Sequence, residues 1–172
     1  MSAPLTFPTA APHEGRATLR TWLRLLTCTT MIESRIRTLL RSEFDTTLPR
    51  FDLLAQLDAA ASESVQGLTM SELSRRLMVT NGNLTGLVDR LVRERLVSRA
   101  VSPTDRRTQM VRLTPLGKRT LDAMTPDHLA WVESMFTELT DDERTQLHHL
   151  LGKLKTSVRN APLTSSLSES FE

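Results

Sequence analysis

The chain has 172 residues, 39% of them hydrophobic, and a formal net charge of +2. This length allows one compact domain, or one domain with helical extensions. A single cysteine excludes an internal disulfide and suits a reducing compartment. No apolar run reaches the ~18–20 residues needed to cross a bilayer, and the first residues lack the pattern of a secretory signal. We therefore expect a cytoplasmic protein without a membrane partner, with flexible tails at residues 1–14 and 161–172.

A long first helix is predicted at about residues 15–44, because apolar side chains recur there at helical spacing. Such a long helix often takes part of its burial from a partner chain. A second helix is predicted to begin near Pro49, since proline is favoured at the first helical position. Residues 59–66 are interpreted as a connector that ends at Gly67.

Two short helices with a tight turn between them are predicted next. The sequence Thr69-Met-Ser-Glu72 has the capping-box pattern, which predicts a helix that ends near Leu77. Residues 78–80 form the predicted turn, and a second helix with an apolar face follows at about 81–95. Two short helices joined in this way are typical of a helix-turn-helix.

Two β-like runs follow this helix pair, at residues 96–101 and 108–113. Pro103 and Asp105 lie between them and favour a turn. The predicted structure is therefore a β-hairpin with a basic tip, directly after a helix-turn-helix. This order of elements predicts a winged helix.

The remainder of the chain is predicted to be helical. A helix begins at Pro115, and Pro126 is expected to break or kink it. A second capping box, Thr140 to Glu143, opens a last helix with leucines at near-heptad spacing. The predicted fold is thus mostly α with a small β-hairpin wing. A winged helix-turn-helix at 49–119 is flanked by long helices at 15–48 and 120–160.

The charge is concentrated in one part of the chain. Residues 69–119 carry eleven basic side chains and four acidic ones, a net charge of +7, so the rest of the chain sums to −5. A focused positive charge is typical of a surface that binds a polyanion. We predict double-stranded DNA as the partner. The alternative is a winged helix that binds another protein, which would have no need for this charge.

The second helix of the pair is the predicted recognition helix, whose first residues would reach base edges in the major groove. Its two glycines cost roughly 1 kcal/mol each relative to alanine, which close approach to DNA would explain. Two arginines at the hairpin tip would reach the minor groove, and Asp105 could pair with one of them. The predicted DNA-binding residues are Ser71, Thr80, Asn81, Gly82, Asn83, Thr85, Gly86, Arg90, Arg93, Asp105, Arg106 and Arg107.

These residues resemble the MarR family of bacterial transcriptional regulators. The similarity runs through LTMSELSRRLMVTNGNLTGLVDRL, RLVSRAVSPTDRR and VRLTPLG, and D-x-R followed by LT-x-x-G is its most specific part. The resemblance implies a homodimer in which the first and last helices of both chains interlock, which makes the flanking helices dimerisation helices. It also implies a pseudo-palindromic operator, minor-groove contact by Arg107, and repression that a small effector releases.

The resemblance further implies an effector pocket between the dimerisation helices and the DNA-binding lobe. Overall similarity suggests aromatic acids or their CoA thioesters as the effector. Met and Trp suit an aromatic ligand, and arginine suits a carboxylate, although Met and Trp at helical spacing are more often plain core residues. The predicted pocket residues are Arg20, Trp22, Arg24, Leu26, Met31, Phe51, Met124, His128 and Trp131.

Cys28 suggests a redox-sensing repressor as an alternative. Redox sensors of this family commonly support the cysteine with tyrosine hydroxyls, and this chain has no Tyr. Cys28 also lies among apolar neighbours in the first helix, so we predict a buried, unreactive thiol. The four histidines have no nearby cysteine or carboxylate cluster, so no metal or cofactor is predicted. No Gly-rich phosphate loop or nucleophile–base–acid set is present, and an enzyme is not expected.

Overall fold

The computed structural model describes residues 16–63, 67–101 and 108–162, apart from the side chains of Glu63 and Asn81. This part of the chain is mostly helical with a small antiparallel sheet, as predicted. The chain divides into two compact units, residues 1–132 and 133–172. In chain order the elements are α1 (Arg16–Phe44), α2 (Leu48–Glu63), β1 (Leu68–Thr69), α3 (Met70–Leu77), α4 (Asn81–Arg93), β2 (Val97–Val101), β3 (Gln109–Leu113), α5 (Pro115–Ser134) and α6 (Asp141–Asn160).

The sheet contains both predicted strands and a third that the sequence analysis missed. Strands β2 and β3 pair antiparallel, with Arg99 opposite Val111, and β1 pairs with the other edge of β3, with Leu68 opposite Val111. Two residues are too few to show the alternation that identifies a strand. Gly67 precedes β1 with φ +87°, and a Cβ there would lie 2.4 Å from the Val111 carbonyl oxygen. Glycine therefore allows this close approach.

The hydrophobic core of residues 1–132 is centred on the winged helix. Leu53 of α2, Leu73 of α3 and Val111 of β3 are completely buried. Helix α1 contributes only Ile36 and Leu40 as buried residues. Most of the length of α1 is therefore outside the core of its own chain.

The LT-x-x-G motif has a structural role at the start of α5. The Thr114 hydroxyl lies 2.7 Å from the Arg95 carbonyl oxygen and 3.0 Å from that of Leu96, and it accepts a hydrogen bond from the Gly117 N–H. A Cβ on Gly117 would lie 2.0 Å from the Leu96 carbonyl oxygen. The motif thus fixes α5 against the segment that joins α4 to β2.

One predicted boundary and one predicted helix break are wrong. Helix α2 continues to Glu63, so residues 59–63 are not a connector; the alanines in this segment are strong helix formers. Pro126 lies inside α5 and does not break it; the kink, which was the alternative to a break, stays a prediction. Proline removes one backbone hydrogen bond, and the burial of Leu121 and Met124 on the preceding turns stabilises the helix.

Two surfaces outside the winged helix are exposed. Cys28 is exposed on α1, so its predicted burial is wrong for the single chain. Every residue of α6 is exposed too. Its predicted capping box is present between Thr140 and Glu143. None of the described helices combines the length and apolar character that crossing a bilayer requires.

Candidate nucleic-acid interface

Helix α4 has one buried face and one exposed face. Leu84, Val88 and Leu91 are completely buried and fix the helix on the core. At 3.6 residues per turn, the opposite side carries Gly82, Gly86, Arg90 and Arg93, and its flanks carry Asn83 and Thr85. Thr80 precedes the helix as its N-cap. All seven of these residues are exposed. Asn81 begins α4, and Ser71 is exposed in the first turn of α3.

The two glycines of α4 have no packing neighbours. A Cβ added to Gly82 or Gly86 would meet no described atom within 4 Å outside the local helix backbone, unlike the Cβ of an alanine at Gly117. Glycine inside a helix is destabilising by roughly 0.5–1 kcal/mol relative to alanine. Since no internal contact explains that cost here, an external surface that approaches the helix backbone is the physical reason we favour.

The two helices of the helix-turn-helix begin differently. At α3 the Thr69 hydroxyl accepts a hydrogen bond from the Glu72 N–H, and the Glu72 carboxylate accepts one from the Thr69 N–H at 2.8 Å. The Thr69 N–H and hydroxyl lower the pKa of Glu72. At α4 the N-cap Thr80 has the same extended backbone but makes no side-chain capping hydrogen bond. The first N–H groups of α4 are therefore left for water or an anion.

The C-terminal end of α4 is tied to the rest of the lobe by two ion pairs. Asp89 pairs with Arg99 of β2 at 2.6 Å. Glu94, which caps α4, accepts two hydrogen bonds from the Arg50 guanidinium of α2. This contact lowers the pKa of Glu94 and raises that of Arg50. Partly exposed ion pairs contribute about 1 kcal/mol or less each, so they orient α4 more than they stabilise the fold.

The hairpin tip carries the rest of the predicted DNA contacts. Asp105, Arg106 and Arg107 lie outside the described residues. Their assignment to the minor groove stays a prediction.

The predicted pocket residues separate into two groups. Phe51 is buried and stacks on His128, with ring centroids 4.3 Å apart, while Trp131 lies 6.0 Å from the ring of Phe44. Met124 is buried on the same helix as His128. The residues predicted on α1 are exposed in the single chain, namely Arg20, Trp22, Arg24, Leu26 and Met31. The aromatic residues of α2 and α5 therefore pack against neighbouring rings of this chain.

A cavity of about 330 Å³ lies next to these aromatic pairs, and of the predicted pocket residues only Met124 lines it. It is formed by the turn after α1, the start of α2 and the first half of α5. Leu96, from the segment between α4 and β2, also lines it. Its lining is Phe44, Asp45, Thr46, Arg50, Leu54, Leu96, Thr120, Ala123 and Met124. Sequence reasoning missed Arg50 and Thr46, because neither stands in a motif or a periodic position that predicts a cavity.

Burial shifts the pKa values of two titratable groups, one on α2 and one on α5. Burial raises the pKa of Asp52 to about 6, nearby Glu33 adds to the rise, and Arg37 opposes it. Burial lowers the pKa of His128. Within residues 16–63, 67–101 and 108–162, no three His, Cys, Asp or Glu side chains come together as a metal site would need.

Sequence comparison with known proteins finds relatives that are HTH-type transcriptional regulators. A family model described as the MarR family matches residues 44–108. An uncharacterized HTH-type transcriptional regulator of Bacillus cereus is 31% identical over 134 residues, which is 77% of this chain and 85% of that protein. The HTH-type transcriptional repressor YetL of Bacillus subtilis is 33% identical over 87 residues, covering 51% of this chain and 52% of YetL.

Solved structures with similar folds include MarR, Sco3205 and BpsR. MarR from E. coli in its apo form is 28% identical, with a TM-score of 0.64 over 76% of this chain and 94% of that one. Sco3205 from Streptomyces coelicolor, a MarR family regulator in complex with DNA, is 24% identical, with a TM-score of 0.71 over 94% and 96%. BpsR from Bordetella bronchiseptica, whose DNA binding 6-hydroxynicotinic acid regulates, is 22% identical, with a TM-score of 0.67 over 79% and 98%.

Proposed function

Because this chain belongs to the MarR family of transcriptional regulators, we propose that it binds double-stranded DNA sequence-specifically through α4 and the β2–β3 wing. The open face of α4 is the observation that carries the proposal. Its exposed side chains and its two uncrowded glycines face away from the core. The helix lies within residues 69–119, which carry a net charge of +7. Members of this family are regulators and not enzymes, and a cytoplasmic location follows from a role on DNA.

Each group on this face has a role that its chemistry suggests. Asn83 offers donors and acceptors to a base edge, and Gly82 and Gly86 admit the DNA close to the helix backbone. Arg90 and Arg93 lie further along the helix, where phosphates flank the groove. The wing-tip Arg107 completes the contact in the minor groove.

A salt titration of DNA binding tests the proposal. Each phosphate neutralised by Lys or Arg releases counterions, so the affinity for duplex DNA should fall steeply as salt rises. Fluorescence anisotropy of a labelled duplex between about 50 and 200 mM salt measures this slope. Failure to bind any duplex at low salt would refute DNA binding and favour a protein-interaction module.

The proposal includes a homodimer on a pseudo-palindromic operator. Helix α6 supports it, since this helix exposes a row of apolar side chains, namely Leu147, Leu150, Leu151, Leu154 and Val158. A stripe at near-heptad spacing favours packing against another helix. Sedimentation equilibrium should give twice the chain mass, and Leu150→Glu should shift the protein towards monomer. A wild-type monomer at micromolar concentration would refute the dimer.

We also propose that the protein is a repressor that a small aromatic acid or an acyl-CoA releases from DNA. The cavity beside Met124 has a volume at the small end of the range for ligand sites, which suits an aromatic acid and not a whole acyl-CoA. BpsR has the same fold, and 6-hydroxynicotinic acid regulates its DNA binding. A thermal-shift screen of both compound classes tests this, because a ligand at 100 times its Kd adds about 2.7 kcal/mol of stability. A hit that leaves operator binding unchanged would not be the effector.

A redox-sensing repressor is the second candidate, because Cys28 is exposed. An accessible thiol can be oxidised, whereas a buried one is protected. Peroxide should then release the wild-type protein from its operator and leave Cys28→Ser bound. Equal responses of the two proteins to peroxide would eliminate this candidate.

A further inference from the structure

Met78 has an unusual backbone conformation for its side chain. It ends α3 in the left-handed region, with φ 53° and ψ 38°, where a Cβ is disfavoured and glycine is common. The turn is closed by Ser74. Its carbonyl oxygen accepts hydrogen bonds from the N–H groups of Met78 and Val79, and its hydroxyl donates to the Val79 carbonyl oxygen at 2.6 Å. The surrounding bonds therefore hold Met78 in this conformation.

The Met78 side chain is also exposed to an unusual degree. Its exposed fraction of 90% is the highest among the large apolar residues that the structure describes. The last turn of α3, which precedes it, contains two basic residues, Arg75 and Arg76. A long apolar side chain in a basic setting suits a partner that combines negative charge with apolar carbon.

The position of Met78 relates it to the DNA surface proposed above. It precedes Thr80, the N-cap of α4, by two residues, so its Cα lies at most about 7 Å from that of Thr80. The major groove is about 12 Å wide. A side chain at this distance from a helix end inserted in the groove therefore reaches the groove wall, which consists of phosphates and deoxyribose rings.

We propose that Met78 packs on a deoxyribose of the groove wall and thereby positions the N-terminal end of α4, an inference that rests on the proposed DNA binding. The contact would be apolar and independent of base sequence. It would explain why a large side chain stands at a left-handed position where glycine would be less strained.

Three variants separate the effect of the Met78 side chain on DNA binding from the effect of its backbone strain on stability. Met78→Leu keeps an apolar side chain, Met78→Gln keeps the length but is polar, and Met78→Gly removes both the side chain and the strain. On a mixed-sequence duplex of about 24 base pairs, long enough for two half-sites, the Leu variant should bind within about twofold of wild type. The Gln and Gly variants should bind on the order of tenfold more weakly, and the Gly variant should melt at a higher temperature.

The outcomes distinguish this contact from DNA binding itself. If the wild type binds no duplex, the proposed function fails. If it binds and the Leu and Gln variants have equal affinities, the Met78 contact is refuted. The same measurement on a duplex with uracil in place of thymine identifies the partner. A loss that persists there supports deoxyribose, and a loss that disappears assigns the contact to a thymine methyl and overturns the proposal.

Discussion

Helices α3 and α4 both follow a threonine with extended backbone, yet the two threonines are used differently. Thr69 forms a complete capping box with Glu72, whereas Thr80 makes no side-chain capping bond and the residue three positions later is Asn83. Capping is worth about 1 kcal/mol, so α4 forgoes stabilisation that α3 has. The same helix also contains Gly82 and Gly86, which reduce its stability further.

The difference indicates where stability was not the governing requirement. Helix α3 supports the turn and needs a well-defined start. Helix α4 leaves its first N–H groups, its N-cap hydroxyl and its bare backbone on an exposed face, and these groups are suited to phosphates and base edges. Helix α4 would be more stable with a side-chain capping bond and with alanines in place of its glycines. The absence of these features on the face that would meet DNA is consistent with selection for binding.

The largest effect is expected from the double change Gly82→Ala and Gly86→Ala. Each alanine should stabilise the free protein by roughly 0.5–1 kcal/mol, because its Cβ meets open space. The same methyl groups should hold the DNA away from the helix and weaken operator binding on the order of a hundredfold, which is about 2.7 kcal/mol. Thermal melting and anisotropy on the same samples measure the two opposed changes.

Gly152→Ala in α6 is the matched control for stability, since its Cβ would also meet open space. It measures how much an alanine in place of a helical glycine stabilises the protein at a position away from the proposed interface. If the double variant binds the operator as tightly as wild type, the DNA does not approach α4 closely, and the glycines need another explanation.

Thr69→Ala should have the next largest effect, and on stability alone. Loss of the capping box at α3 should destabilise the protein by about 1 kcal/mol, while DNA affinity of the folded fraction stays nearly unchanged. Thr140→Ala is the matched variant, because Thr140 forms the same box with Glu143 at α6. Urea denaturation measures both. A large loss of affinity in Thr69→Ala at full folding would contradict the division of roles between the two helix starts.

Local signals in the sequence predicted most of the winged helix. The hydroxyl–carboxylate spacing at Thr69 and at Thr140 predicted both capping boxes, because each box depends on residues within one helical turn. The alternation in β3 also predicted its strand. β1 was missed because its only support is pairing with β3, a contact between residues 68–69 and 110–111 that no local pattern encodes.

The candidate sites show the same limit. The exposed face of α4 follows from helical period alone, so its members were predictable. The cavity depends on tertiary packing among α2, α5 and the turn after α1, and Arg50 points to Glu94 across 44 positions of sequence. Cys28 was predicted to be buried from its apolar neighbours, but neighbours in sequence do not reveal which part of a long helix the rest of the chain covers.

Thr80→Ala should affect DNA binding and leave stability nearly unchanged, which is the reverse of the result expected for Thr69→Ala. Because the Thr80 hydroxyl caps nothing in this structure, its loss should change stability by less than about 0.5 kcal/mol. If the hydroxyl bonds DNA, operator binding should weaken about fivefold, equivalent to one hydrogen bond of about 1 kcal/mol. Thr80→Ser should restore the affinity. Destabilisation as large as that of Thr69→Ala would mean that Thr80 does cap α4 in solution.

The smallest effect expected is a pH dependence at the N-terminal end of α3 that the N-terminal end of α4 lacks. Hydrogen bonds from the Thr69 N–H and hydroxyl hold the pKa of Glu72 below its ordinary value of 4.5. A carboxylate with a depressed pKa in the folded state contributes stability above its unfolded pKa, and that stability is lost as the pH falls through the folded value. Glu72 is only half-buried, so solvent screening reduces the effect to a few tenths of a kcal/mol. Wild type should therefore exceed Glu72→Gln in stability at pH 7 by a margin that shrinks below pH 4.5.

Asn83→Gln is the control, because Asn83 occupies the matching position of α4, and it should show no such pH dependence relative to wild type. An identical pH profile in Glu72→Gln and wild type would show that the capping box contributes nothing to stability through the charge of Glu72.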